Sequence, residues 1–308
     1  MSNKQSQNHA YNVDSSLSDS SCSNAEATLT CGVPGTLYPV ATPIGNLGDM
    51  SARAAQTLSG VDFVAAEDTR VTGKLLTHLG IKKTLVSYYE HNSRESGEKI
   101  IKRLLAGENC ALVTDAGTPG ISDPGVNLIR QCIDAGIPIT AVPGPCAAVT
   151  ALILSGMSAS RFTFEGFLST ARKSRVEHLT ELKAEKRTMI FYEAPHKLVR
   201  TLDDMLEVFG DRQVSLSREL TKLFEETKRC PLSEAADYYK TNPPRGEFVI
   251  VIEGAQNVSE PETSLEDAVK AVRAYTQAGL SLKDSAGKVS AETGISKNTL
   301  YKAAVSST

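Results

Sequence analysis

Short apolar runs alternate with segments of helical period along residues 37–142 of this 308-residue chain, and no other feature restricts its fold as much. The runs lie at 37–41, 61–66, 84–88, 110–114 and 138–142. Each is strand length, bounded by Gly, Pro, Asn or charged residues. Helical spacing runs over 50–58, from Thr69 to Leu79 before Gly80, and over 95–105 before Gly107. Apolar strands separated by helices predict a parallel, doubly wound sheet with helices on both faces.

A second strand-rich half follows. Pro143-Gly-Pro-Cys-Ala147 opens a helix to about Ser155, and strands are expected at 162–167, 188–192, 213–218, 224–228 and 247–252. Helices are expected at 173–186 and 196–208. Residues 255–263 form a polar linker, and 264–308 read as two or three short helices. The expected organisation is α/β: a domain at 35–145, another at 146–255, and a helical appendix at 264–308. Residues 1–34 stand apart, with eight Ser and four Asn, and with Lys4 against Asp14, Asp19 and Glu26. Such a segment buries too little apolar surface to offset its ordering entropy, so a disordered tail is expected.

Net charge of −3, from 33 basic and 36 acidic side chains, excludes a whole-chain basic field. Any contact with a polyanion must come from local patches. Segment 169–187 holds six basic residues against three acidic, and 264–308 holds six against four. Either is a solvated helix face or part of a phosphate-contacting surface. The longest near-apolar run, 146–157, is too short and mixed to span a bilayer, so no membrane is expected. The start of the chain lacks the pattern of a secretory signal, and a reduced cytoplasm is the expected compartment. The six cysteines form no C-x-x-C pair, so no metal site is expected; Cys110, Cys132 and Cys146 sit in apolar segments.

Ligands of open parallel sheets bind beyond the carboxyl ends of the strands. The informative loops all fall there: 41–48, 67–70, 115–125 and 143–147. The third of these, Asp115-Ala-Gly-Thr-Pro-Gly-Ile-Ser-Asp-Pro-Gly125, has three glycines and two prolines in eleven residues. Such a rigid loop is either an ordinary tight connection or a backbone surface for a flat adenine or an amino-acid group. Neither G-x-G-x-x-G nor G-x-x-x-x-G-K-[ST] occurs, so dinucleotide and nucleoside-triphosphate cradles lack support. Glu67, Asp68 and Arg70 are either a solvated helix start or a general base beside an anion-binding cation. Arg218-Glu219 repeats the pattern in the second half, either as a surface ion pair or as a site of the same kind. His196 reads as a helix start. Tyr192 ends a strand, either in the core or walling an adenine pocket. Residues 282–301 have a helix–turn–helix texture that packing alone would also produce.

Taken together, Leu37-Tyr-Pro-Val-Ala-Thr-Pro-Ile-Gly-Asn-Leu47, Ala66-Glu-Asp-Thr-Arg70, Asp115-Ala-Gly-Thr-Pro119, Asp123-Pro-Gly125, Pro143-Gly-Pro-Cys-Ala147, Phe191-Tyr-Glu193, Arg218-Glu-Leu-Thr-Lys222 and Arg245-Gly-Glu247 resemble, in order and spacing, a family of small-subunit ribosomal RNA methyltransferases of the tetrapyrrole-methylase-like class. The match spans about 35–254, and the terminal helices resemble that family's appendix. Ser169 stands where the family often has Pro, and the N-terminal tail is extra. The resemblance implies a cleft between two α/β domains, S-adenosylmethionine as methyl donor without a metal, a homodimer, and a cytidine 2′-oxygen of 16S rRNA in the 30S subunit as target. It places cofactor contacts on Pro43, Ala116, Gly117, Thr118, Ile121, Cys146, Ala147, Glu193 and Leu220, with Asp115 orienting its loop. It implies a catalytic carboxylate at Glu67, with Asp68 adjacent; Arg70, Arg218 and Lys222 would hold the flanking phosphates. The class also contains tetrapyrrole C-methylases and diphthine synthases. A non-catalytic RNA-binding assembly factor on the same fold is the further alternative.

Overall fold

The computed structural model describes residues 33–256 and 264–306; the expected tail at 1–34 lies almost wholly outside them. The first domain runs β1 (Leu37–Pro39), α1 (Ala52–Gly60), β2 (Phe63–Ala66), α2 (Thr69–His78), β3 (Thr84–Ser87), α3 (Ser93–Leu105), β4 (Cys110–Val113) and α4 (Val126–Asp134). Its sheet has the order β1-β4-β2-β3, all parallel. Side chains alternate across it. Phe63, Ala65, Cys110 and Leu112 pack with Ile100, Leu104 and Leu128 on one face. Val64, Ala66, Ala111 and Val113 pack with Ala54, Leu58 and Leu76 on the other. Strands buried on both faces carry unbroken apolar runs, which is why these segments were readable.

Residues 138–142 lie beside β1, but only as isolated parallel bridges at Leu37–Ile139 and Val40–Val142. Pro39 and Pro138 have no N–H to give, so a regular ladder cannot continue there. Helix α4, between β4 and this edge, was not anticipated.

The second domain runs α5 (Ala147–Ser155), β5 (Phe162–Phe167), α6 (Arg172–Glu181), β6 (Thr188–Glu193), α7 (Pro195–Phe209), β7 (Gln213–Arg218), β8 (Glu226–Pro231), α8 (Leu232–Thr241) and β9 (Phe248–Ile252). Its sheet is mixed, with the order β5-β6-β9-β7-β8. Only β5 and β6 are parallel; β9 is inserted antiparallel to both β6 and β7. All of Phe248–Ile252 is buried, as a central strand requires. Phe248, Ile250 and Ile252 pack toward α7 and α8, while Val249 and Val251 pack toward α5. Three expectations shift. The strand expected at 224–228 forms at Glu226–Pro231, the helix expected to reach 186 ends at Glu181, and α8 was not foreseen.

Three helices follow: α9 (Leu265–Gln277), α10 (Leu282–Thr293) and α11 (Lys297–Ser306). Val272, Ala286, Val289 and Leu300 form their shared core. Ser264 and Ser281 cap α9 and α10, and Gly294 at φ +72° ends α10 in the left-handed conformation. Among the described residues, no helix is long and apolar enough to cross a membrane.

Candidate active site

The carboxyl ends of the first sheet meet the second domain around a cavity of about 370 Å³. The first domain contributes Glu67 after β2, and Asp115 to Thr118, Ile121, Ser122 and Asp123 after β4. The second contributes Cys146 and Ala147 at the start of α5, Phe167, Tyr192 and Glu193, Glu219, Leu220 and Lys222 after β7, and Glu247 to Val249 entering β9. Because β9 runs antiparallel, its first residues reach the same end of the molecule as the last residues of β6 and β7.

Backbone pairing makes the loop after β4 rigid. Thr42 N–H donates to Gly117 O at 2.9 Å, and Gly117 N–H to Thr42 O at 3.1 Å. Thr118 Oγ1 donates to Pro145 O at 3.0 Å, tying this loop to the one before α5. Gly117 has φ +83°, a conformation that favours glycine. Ser122 at φ +62° is one of three non-glycine residues with positive φ among those described; the others, Glu219 and Thr221, flank Leu220 across the cavity. Such backbone persists only where its surroundings over-determine it, and it concentrates at ligand sites.

Carboxylates dominate the electrostatics. Glu67 Oε2 accepts the Asp115 N–H at 3.3 Å, and Asp115 Oδ1 accepts the Asp68 N–H at 3.1 Å. Burial raises the Glu67 carboxyl above its ordinary range; the Asp115 N–H opposes that, while Asp115 and Asp68 add to it. Asp115 is raised mainly by burial. Asp123 is pushed up to about 7 by burial first, and then by Glu67, Asp115 and Glu247. Lys222 is the cation on the wall, and its Nζ lies 3.0 Å from Glu219 Oε1. A cavity of this charge favours a cationic ligand, and its exposed backbone suits flat or zwitterionic groups.

Of the residues singled out in the sequence, Glu67, Asp115, Ala116, Gly117, Thr118, Ile121, Cys146, Ala147, Glu193, Leu220 and Lys222 come together on this wall. Glu193 is 1% exposed, and its carboxylate accepts from Thr201 Oγ1 at 2.6 Å and Ala194 N–H at 2.9 Å, with Lys197 Nζ at 3.2 Å. It fastens the end of β6 to α7. Four residues lie elsewhere. Asp68 caps α2, accepting the Arg70 N–H at 2.7 Å, and the Arg70 guanidinium holds its carboxyl down at about 2. Arg70 is thereby paired, and Arg218 pairs with Glu226 at 2.5 Å. Pro43 lines a second cavity, which shares Asp115 with the first.

Sequence reasoning gave no role to Asp123 or Glu247, although both stand inside motifs that carry the resemblance, and it weighed Glu219 only as the partner of Arg218. The basic segment 169–187 is also largely committed. Arg175 is 4% exposed and ion-paired with Asp204 at 2.6 Å; Arg172 pairs with Asp204 and Glu207, and Arg187 with Glu185. A solvated basic face there is reduced to Lys183 and Lys186, with Lys173 4.0 Å from Glu177 Oε1. Among the described residues, no His, Cys, Asp and Glu cluster has the arrangement of a metal site.

This architecture and wall define a protein of the tetrapyrrole-methylase type. The family model for Tetrapyrrole (Corrin/Porphyrin) Methylases matches residues 36–236, and the RsmI C-terminal HTH domain matches 263–307. Uroporphyrin-III-C-methyltransferase from Thermus thermophilus superposes with a TM-score of 0.51 at 19% identity, covering 70% of this chain and 94% of that one. Cobalt precorrin-4 methyltransferase gives 0.54 at 18% identity, covering 71% and 94%. These two likenesses concern the fold. Sequence relatives are nearer. The Ribosomal RNA small subunit methyltransferase I of Synechocystis sp. is 46% identical over 87% of this chain and 96% of its own length. The proteins of that name from Bacillus subtilis and Escherichia coli O157:H7 are 45% and 44% identical, over 87% and 88% of this chain and 94% and 95% of their own. The chain belongs to the ribosomal RNA small subunit methyltransferase I family.

Proposed function

We propose that this protein methylates ribosomal RNA, transferring the methyl group of S-adenosylmethionine to the 2′-oxygen of a cytidine in 16S rRNA, with the 30S subunit as substrate. It would work in the cytoplasm as a homodimer. The observation that carries this reading is the inter-domain cavity, where the glycine-rich backbone after β4 faces a cluster of carboxylates. Bound there, S-adenosylmethionine would supply an electrophilic methyl on a sulfonium, so the chain needs no metal for the chemistry. Ala116, Gly117, Thr118 and Ala147 offer backbone to the adenosine and methionine portions, and Tyr192 and Ile121 offer apolar walls. The carboxylates complement positive charge on the donor.

The chain's remaining task is to align the acceptor oxygen with the methyl carbon and to take a proton. The new bond forms between the 2′-oxygen and the methyl carbon as the carbon–sulfur bond breaks, and the hydroxyl proton passes to Glu67. Two contrasts favour Glu67 over Asp68. Its carboxyl lines the cavity and is raised by burial, whereas Asp68 is held low by Arg70 and caps a helix. The test is methyl transfer from labelled S-adenosylmethionine to 30S subunits, followed by digestion and mass mapping. A 2′-O-methylcytidine in 16S rRNA supports the reading. Label entering a porphyrinoid, or no label entering RNA, overturns it.

A further inference from the structure

The connection between β7 and β8 carries two side chains that neither the core nor the inter-domain cavity uses. Lys222 N–H donates to Glu219 O at 3.0 Å, and Glu225 N–H to Lys222 O at 3.1 Å, so the chain makes two consecutive turns. Leu223 and Phe224 are the central residues of the second turn, and they are 90% and 69% exposed. Such positions ordinarily take Gly, Pro, Asn, Asp or Ser. Among the described residues, Leu223 and Phe224 are the one adjacent pair of exposed large apolar side chains, and Phe224 is the most exposed aromatic ring. The tip is also fixed. Glu219 and Thr221 hold φ +50° and +66°, and Thr221 N–H donates to Glu225 Oε2 at 2.6 Å. Gly45, in the loop after β1, lies against the same turns: a Cβ there would stand 2.5 Å from Lys222 Cγ and 3.1 Å from Leu220 O. A stiff turn that presents apolar surface to water contradicts its own local chemistry, and such contradictions concentrate where function requires them.

We infer that Leu223 and Phe224 are a wedge that enters the RNA beside the methylated nucleotide and keeps that nucleotide out of its stack. The inference rests on the proposed RNA methylation and adds positioning residues to it. Leu220 and Lys222, on the same two turns, line the inter-domain cavity, so the tip stands one residue beyond the wall of the donor site. A nucleotide whose ribose must reach a cleft between two domains has to leave its neighbours. The bases on either side then lose a stacking partner, and apolar side chains such as Leu and Phe take that place in nucleic-acid complexes that open a base step. A phenyl ring serves beside any base, because every base has a π-face. Because the turns and Gly45 already hold the tip, little ordering remains to be done on binding. A second copy of the chain is the poorer occupant, since two side chains fall far short of the roughly 800 Å² that each partner buries in a stable dimer. The pair carries no charge, so its contribution does not vary with salt.

Truncating the tip tests this, and both positions are exposed enough to spare the fold. In the double variant Leu223→Ala, Phe224→Ala, at saturating S-adenosylmethionine, the KM for 30S subunits should rise about five-fold or more. The dissociation constant for S-adenosylmethionine should stay within about two-fold, and the salt dependence of the KM should not change. Phe224→Tyr keeps a ring to stack and should lie nearer the parent than the double variant does. A smaller rise in KM than about five-fold overturns the wedge. So does a Phe224→Tyr loss as large as that of the double variant, because a ring would then be of no consequence. A lower oligomeric mass in the double variant also overturns it, since the pair would then be a contact between copies of the chain. If the parent protein methylates no RNA, the proposed function fails and the wedge with it; if the parent does and the double variant matches it, only the wedge fails.

Discussion

Neighbouring residues at the end of β2 meet opposite fates. Glu67 faces the inter-domain cavity, and Asp68 turns back to cap α2. The sequence put both at a strand end but could not divide their roles, because a helix cap and a general base call for the same side chain. Glu67→Gln keeps size and hydrogen bonding while removing the proton acceptor. Single-turnover methylation should fall roughly 10²–10⁴-fold, with cofactor affinity nearly constant. Asp68→Asn should lose less, since asparagine caps a helix comparably. Rates within a few-fold of the parent in both variants would show that alignment alone drives transfer. Asp123 was less legible, because what surrounds it comes from three separate segments: Glu67, Thr114 with Asp115, and Glu247. Its carboxyl is pushed up to about 7 from 3.8, so between those pH values the folded chain keeps a proton that the unfolded chain has lost. Stability from this group is full below about pH 4 and falls as pH rises to 7. Asp123→Asn should therefore raise Tm relative to the parent at pH 8 and leave it nearly unchanged near pH 4. A Tm difference equal at both pH values would contradict the assignment.

Elements were legible where burial on both faces writes an unbroken apolar run, as in β2, β4 and β9. They were obscure where the chain forms an edge. The polar run of β8 (Glu226–Pro231) has one neighbour, β7, and its position shifted from expectation. Buried polar contacts were equally hidden. Arg175 read as a surface cation, yet it and Asp204 are each 5% exposed at the side chain, and Arg175 also donates to Ser169 O at 3.0 Å. This cluster joins the start of α6 to α7. Asp204→Ala should cost about 3–5 kcal/mol, because it strands a buried guanidinium, and urea unfolding measures that directly. In the loop after β4, a Cβ at Gly117 would meet Ile44 no closer than 3.5 Å, so space is adequate and the constraint is φ +83°. Gly117→Ala should cost roughly 1–2 kcal/mol through backbone strain. It should also weaken S-adenosylmethionine in calorimetry, and an unchanged affinity would take this loop out of the site.

At the scale of the whole molecule, the three terminal helices have their own core and carry Lys283, Lys288 and Lys297. Removing residues 257–308 should spare cofactor affinity while weakening 30S binding and flattening its dependence on salt. Normal methylation by the shortened chain would make the appendix structural only. The organisation into two α/β parts and an appendix was readable from the alternation of runs. The insertion of β9 was not, because strand order leaves no local mark. That insertion has a consequence for synthesis. The first sheet has all its strands once residue 113 is made, and its bridged edge by 142. The second sheet stays split, β5-β6 apart from β7-β8, until residues 248–252 emerge to join them. Between residues 231 and 248 a growing chain thus carries two open strand edges beside an unfinished inter-domain cavity, and an unpaired edge is where a nascent protein is exposed to mispairing.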